Sequence, residues 1–301
     1  MKYNLICLVC LFLSVLIPNE LLFNTPWGDC TLINNSHSLS SDQIINIINL
    51  EIEKMSNDYN SIPKNDFIIL IPDSESISLK HPHWKWSLGI TYSNPDRIII
   101  KDPALSKISW KKFKKVVSHE LNHIMLNRVE YRETIPRWFK EGVAMKVADE
   151  ISIYHKLKIA SKTNNRVLFN LSNYNHFHNM TKEEFHFAYA ISSASIILLE
   201  KIYGEDTIKI IVANLMEGNN FEKSFFNATG VSIKDFNNIF YDRIKNNFFW
   251  FKLVNLPKNL FTIMPLLLII GFYIKSYKNN KIIKKWELEE QLENLEDIDI
   301  N

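Results

Sequence analysis

The sequence predicts an α+β domain, a small sheet followed by a largely helical part, with a membrane-spanning helix near the C-terminus. Three observations carry this. Strand-like runs come early, at Phe67 to Pro72 and Gly89 to Lys101, and helical periodicity dominates afterwards, which is not the alternation of a parallel βαβ fold. A length of 301 residues suits one domain of about 200 residues plus appendages. Asn259 to Ile274 is uncharged and mostly apolar, with a crowd of lysines just beyond it.

Taken in order, Leu5 to Ile17 is an apolar stretch behind Lys2, the length of a signal-peptide core. Extended to Phe23 it would make a membrane anchor, so residues 1–23 read as a signal peptide or an N-terminal anchor. Cys7 and Cys10 lie inside it and leave Cys30 alone, so no internal disulfide is expected in the exported part. The Asn/Ser-rich stretch 31–41 reads as a linker. Asp42 to about Asn57 is amphipathic, and Ser40 and Gln43 are spaced as a capping box. Within Gly89 to Lys101 the run Ser93-Asn-Pro-Asp reads as a turn between two strands. Thr181 and Glu184 form another capping box, opening a helix that ends near Gly204. Further helices are expected at about 205–217 and 232–246. The domain therefore spans 42–246.

Asn259 to Ile274 is sixteen residues long, short of the ~20 that span a bilayer. Flanking aromatics, Phe248-Phe-Trp-Phe before it and Tyr273 and Tyr277 at its end, resemble interfacial belts, and Lys252 and Lys258 can snorkel. Lys275, Lys278, Lys281, Lys284 and Lys285 mark the cytoplasmic side. The reading is a transmembrane helix at 259–274, a cytoplasmic tail at 275–301, and a domain exposed outside the cytoplasm, periplasmic or at the cell surface. A formal charge of +2 gives no sign of a nucleic-acid partner. Oligomeric state is not readable from the sequence.

The chemistry lies in His119-Glu120-Leu121-Asn122-His123. On a helix, positions i and i+4 share a face, so both imidazoles can reach one zinc ion. Glu120 then sits beside the open position, where a base is needed to take a proton from water. Ser109 is the expected N-cap of that helix, and Val116, Val117, Leu121, Ile124 and Met125 supply its apolar stripe. A third protein ligand is required. The longer motif would place a glycine and a third histidine three and six residues after His123, but Leu126 and Val129 stand there. Glu141, eighteen residues after His123, lies on a helix expected from Pro136 to about Glu150. Residues 127–135 are long enough to turn the chain back, so Glu141 can face the histidine pair from an antiparallel neighbour.

The pairing of HELNH with PRWFKEGVA resembles the peptidase MA-like gluzincins, zinc metallopeptidases that hold the metal with two His and one Glu. Trp86-Ser-Leu-Gly-Ile-Thr-Tyr and Asp96-Arg-Ile-Ile-Ile-Lys-Asp are similar to the strand pair ahead of that family's active-site helix. Phe187-Ala-Tyr-Ala-Ile-Ser-Ser, Ile202-Tyr-Gly and Ala228-Thr-Gly-Val-Ser are similar to its helical tail. The resemblance covers about residues 42 to 246 and implies a zincin-like fold with one Zn2+ per chain on His119, His123 and Glu141. It also implies hydrolysis of a peptide or protein substrate with Glu120 as base. The chain departs from it at Met145, where many gluzincins carry an Asp that steadies a histidine; Asp149 is the candidate substitute.

Tyr189 is a candidate donor to the developing oxyanion, or else a core tyrosine with its hydroxyl at the surface. His186, one turn earlier, is a neighbour of that position. His81, His83, His176 and His178 read as exposed loop histidines, and Trp86 and Trp138 as packing. The edge of the Asp96–Lys101 strand is expected to hold an extended peptide. The alternative function is a non-catalytic binding or scaffold module at the membrane on the same zinc fold, against which an intact Glu120 speaks. An intramembrane site is excluded by Lys111, Lys112, Lys114 and Lys115, within two turns of His119.

Overall fold

The structure is a computed structural model that describes residues 20–36, 38–59, 62–73, 87–130, 135–162, 165–177, 180–247 and 256–296. The expectations for residues 1–19, His81, His83, Trp86, His178 and the aromatic run 248–251 lie outside the described residues. The chain divides into two units, 1–247 and 248–301.

The first unit is built on a five-stranded sheet with strands β1 (Glu20–Thr25), β2 (Gly28–Asn34), β3 (Phe67–Ile71), β4 (Gly89–Ser93) and β5 (Asp96–Ile100), in the order β1-β2-β3-β5-β4. β1 and β2 form an antiparallel hairpin, as do β4 and β5, and β3 joins β2 and β5 in parallel. Alternation sets the register. Cys30, Leu32 and Asn34 of β2 and Phe67, Ile69 and Ile71 of β3 are buried, every second residue. Helix α1 (Ser41–Asp58) makes the crossover from β2 to β3 and buries Ile44, Ile47, Ile48, Ile52 and Met55, a helical stripe.

Three expectations are corrected here. The stretch 31–41 is not a linker: residues 31–34 belong to β2, and the sheet reaches back to Glu20 through β1. Buried Asn34 donates to the Leu39 carbonyl and the Ser41 hydroxyl, each at 3.0 Å, which ties the end of β2 to the start of α1. Ser40 is the N-cap of α1 but forms no side-chain cap hydrogen bond, so the capping box is absent. Among the described residues β4, not β5, is the outer strand on this side of the sheet, because β5 is paired on both sides.

Helix α2 (Trp110–Arg128) lies against β4 and β5, with Ser109 as its N-cap accepting from the Lys112 N–H at 3.3 Å. Its far end is fixed by Arg128, whose Nε donates to buried Asp96 at 2.7 Å. The same guanidinium reaches the carbonyls of Trp27 at 2.8 Å and Asn65 at 2.6 Å. One side chain thus ties the helix to β5 and to the loops ahead of β2 and β3. The chain then turns into α3 (Arg137–Val147), with Pro136 at its N-cap. Next come α4 (Ile153–Lys162) and two short 3-10 turns at 166–169 and 171–174.

Helix α5 (Lys182–Tyr203) opens with the expected Thr181–Glu184 capping box, complete in both directions, and ends at Gly204. Among the described residues it is the helix long and apolar enough to cross a membrane, but most of that stretch is buried inside the domain, so it is a core helix. The unit closes with α6 (Thr207–Met216), α7 (Phe221–Thr229) and α8 (Ile233–Asn247). Trp138 is buried against Phe139 and Phe221, as packing.

Among its described residues the second unit is the helix α9 (Leu256–Glu296), 41 residues long with Pro265 inside it. It runs unbroken through the lysine-rich stretch and into the acidic tail, beyond the sixteen residues the apolar pattern marked.

Candidate active site

Helix α2 places His119 and His123 one turn apart, and α3 brings Glu141 to face them. The two Nε2 atoms are 3.1 Å apart, and Glu141 Oε2 is 3.3 Å from each. That oxygen is buried and makes no hydrogen bond. A tetrahedral site with zinc–ligand bonds of about 2.0–2.1 Å has edges of about 3.3 Å between ligand atoms. The triangle of donors therefore fits one face of such a site, and an otherwise orphaned carboxylate oxygen completes it. All three residues are buried, and the group could hold a metal ion.

The charge balance supports the fit. Burial alone would push His119 down, but its contacts with Glu141 and Glu150 and the nearby Glu120 charge raise it to about 10. Burial would likewise raise Glu141, yet the neighbouring His123 and Arg137 hold its carboxyl well below the usual range. Carboxylates thus surround the two imidazoles, with Glu141 between them and Glu150 behind His119.

Glu141 is fixed from two directions. Its Oε1 accepts from Arg137 Nε at 2.7 Å, one turn earlier on α3, which leaves Oε2 to the histidines. Gly142 gives the second constraint. A Cβ there would lie 2.4 Å from the Ser192 carbonyl oxygen and 2.5 Å from Ile196 Cγ1, so only glycine lets α3 approach α5 this closely.

His119 is steadied by Glu150, not Asp149: Glu150 Oε2 lies 3.0 Å from His119 Nδ1, and its Oε1 accepts from Lys112 Nζ at 2.6 Å. The end of α3 explains why. The Asp149 N–H donates to the Lys146 carbonyl at 3.0 Å and the Glu150 N–H to the Met145 carbonyl at 2.9 Å, the two bonds of a Schellman turn. Asp149 occupies the left-handed position at φ 49°, which Asp tolerates better than most residues, and points outward to Lys115. The reversed chain then delivers Glu150 to the back of the imidazole. Burial raises the Glu150 carboxyl, but His119 and Lys112 outweigh it and bring it down to about 2, so it is ionised at neutral pH.

Glu120 is nearly buried beside His119, where Thr91 Oγ1 of β4 donates to its Oε2 at 2.7 Å. Tyr189 of α5 stacks on His119 with ring centres 6.2 Å apart and packs against Phe185 at 4.7 Å and Phe177 at 5.7 Å. Burial, then the Glu141 charge, keeps its phenol well above the usual range, so it remains a donor. A cleft of about 290 Å³ opens onto His119, Glu120 and Tyr189, walled by Val116, Met145 and Phe185. His186 lines this cleft with His155, whereas His176 is exposed on the segment after the 3-10 turns.

The site thus brings together His119, Glu120, His123, Glu141 and Tyr189. Sequence reasoning missed Glu150 in its supporting role, Arg137 and Thr91. The Arg137–Glu141 pair at i,i+4 was a usable signal; the other two depend on a turn and a strand pairing. Residues 74–246, more than half of the chain, match the family model of the Peptidase MA superfamily, a stretch that contains β4, β5, α2, α3 and α5. No curated protein matches the chain.

Proposed function

This chain belongs to the Peptidase MA superfamily, and from that premise we propose that it is a membrane-tethered, extracytoplasmic zinc metallopeptidase. One observation carries the reading: two imidazole nitrogens and an orphaned buried carboxylate oxygen lie 3.1–3.3 Å apart beside Glu120. His119, His123 and Glu141 are the residues to hold one zinc ion, with Arg137 and Glu150 fixing two of them from behind. Zinc bound there supplies Lewis acidity, making water a nucleophile near neutral pH and polarising a carbonyl.

Glu120 takes the proton of the attacking water and returns it to the leaving amine. Tyr189 donates to the oxyanion as it develops on the scissile carbonyl. The peptide substrate lies along the outer edge of β4, pairing main chain to main chain, with a side chain in the cleft beside Val116 and Met145. The membrane anchor is α9. Its side chains from Met264 to Ile274 are exposed and almost all apolar, and the lysines from Lys275 to Lys285 follow on the same helix. The lysine cluster keeps the tail in the cytoplasm and the zinc domain outside.

Metal analysis of the purified chain should give about one zinc per molecule; none would overturn the reading. Glu120→Gln should keep the metal and lower the hydrolysis rate by about 10²–10⁴-fold, since an amide cannot accept the water's proton. A mutant cleaving internally quenched peptides at the wild-type rate would remove Glu120 from the mechanism.

A further inference from the structure

The edge strand does more than border the cleft. Side chains two apart on a strand share a face, so Gly89 and Thr91 of β4 both face α2, and both meet the same residue there. Thr91 Oγ1 lies 2.7 Å from Glu120 Oε2 and 3.1 Å from the Glu120 backbone oxygen. A hydroxyl carries one proton, so the shorter contact is the hydrogen bond and the carbonyl is a second, weaker acceptor. A Cβ built on Gly89 would lie 2.6 Å from Glu120 Cγ and 2.6 Å from its Oε1. No atom of Gly89 beyond its backbone can therefore occupy that space while Glu120 keeps its rotamer.

We propose that Thr91 and Gly89 are positioning residues for Glu120: the threonine hydroxyl claims Oε2 and fixes the plane of the carboxylate. Oε1 is thereby left as the proton-accepting oxygen, and the bare glycine gives it room. This rests on the reading of Glu120 as the base. A carboxylate on a two-carbon stem has three rotors, and a base must hold its geometry within a fraction of an ångström to work at full rate. Helix α2 fixes only the stem. The second anchor has to come from another element, and β4 is the element packed on that face of α2. Because the same strand offers the edge on which a substrate would pair, the base and the peptide would be aligned by one piece of backbone.

The test uses the full-length zinc-loaded chain and a set of internally quenched peptides, with Thr91→Val, Thr91→Ser, Gly89→Ala and Glu120→Gln measured on whichever peptide the wild type cleaves. Valine keeps the shape and loses the hydroxyl, and loss of a hydrogen bond to a charged group corresponds to about 10- to 100-fold. The expected result is a fall of that size in kcat for Thr91→Val, with KM within about twofold, zinc content unchanged and Thr91→Ser close to wild type. Gly89→Ala, which keeps the strand's backbone pairing, should show the same split between kcat and KM and provides the reading if Thr91→Val does not fold. Wild-type kcat in Thr91→Val, or an equal loss in Thr91→Ser, overturns the proposal, as does wild-type kcat in Gly89→Ala. Glu120→Gln separates the two levels: if it is fully active the base itself is wrong, whereas if it is inactive while Thr91→Val is unimpaired, only the positioning role fails.

Discussion

Glu150→Gln is the perturbation that most directly probes how this chain supports its site. The carboxylate lies 3.0 Å from His119 Nδ1 and 2.6 Å from Lys112 Nζ, with a side chain only 12% exposed. Its charge favours the tautomer that frees His119 Nε2 and raises the basicity of that nitrogen. Glutamine keeps the shape and one acceptor but removes the charge, and it leaves Lys112 beside the imidazole. The Lys112 side chain is 41% exposed and can turn to solvent, so that addition is small. Losing such a partner weakens metal binding by about 10–100-fold, or about 1.4–2.7 kcal/mol. Glutamine should fall near the lower figure and Glu150→Ala near the upper. The assay is zinc competition against a chelator of known affinity, with Asp149→Asn as control. Asp149 is 88% exposed and bound to Lys115, so its loss should change zinc affinity by less than about twofold. Weakening in Asp149→Asn with none in Glu150→Gln would refute the assignment.

Glu141→Ala should lower zinc affinity well beyond Glu150→Ala, because it removes a ligand rather than a support; equal losses in the same competition assay would refute its place in the site. Arg128→Met should destabilise the domain by about 3–5 kcal/mol by leaving Asp96 charged and buried. Urea unfolding of the metal-loaded Glu120→Gln background, where self-digestion is absent, would show it, and a change under about 1 kcal/mol would contradict the role given to the pair. For topology, a tag in the exposed loop 217–220 should be lost on protease shaving of intact cells while a tag at Asn301 survives. Protection of both would mean a cytoplasmic domain, and loss of both would mean that α9 is no anchor.

The residues legible in the sequence are those whose geometry is set by a single helix. His119, Glu120 and His123 follow from the i,i+4 repeat, and Thr181–Glu184 from a cap that closes within one turn. Glu141 needed one more step, a second helix lying alongside the first. What depends on long-range pairing was not legible. β4 and β5 are a hairpin in either sheet order, and only the pairing of β5 with β3 makes β4 the edge and carries Thr91 to Glu120. β2 was hidden for a related reason. Its short alternating run precedes an Asn/Ser-rich segment, and composition alone does not show that Asn34 is buried and fully used.

Met145 stands where the resemblance to the gluzincins implies an aspartate, and the end of α3 gives a physical reason for the difference. A carboxylate one turn after Glu141 would have to reach the histidine along the face of α3. Here α3 stops at Val147, and the left-handed Asp149 throws the next carboxylate back over the helix end, so the imidazole is held from a turn instead. That relieves position 145 of any polar duty. Met145 is 2% exposed and forms part of the cleft wall with Val116 and Phe185. A thioether on three flexible bonds adapts to what lies against it. With His119 held by Glu150, position 145 gives the cleft an apolar wall rather than a charged one. Met145→Asp would give His119 a rival partner while burying a second carboxylate beside Glu150. It should therefore disturb substrate preference as well as metal affinity.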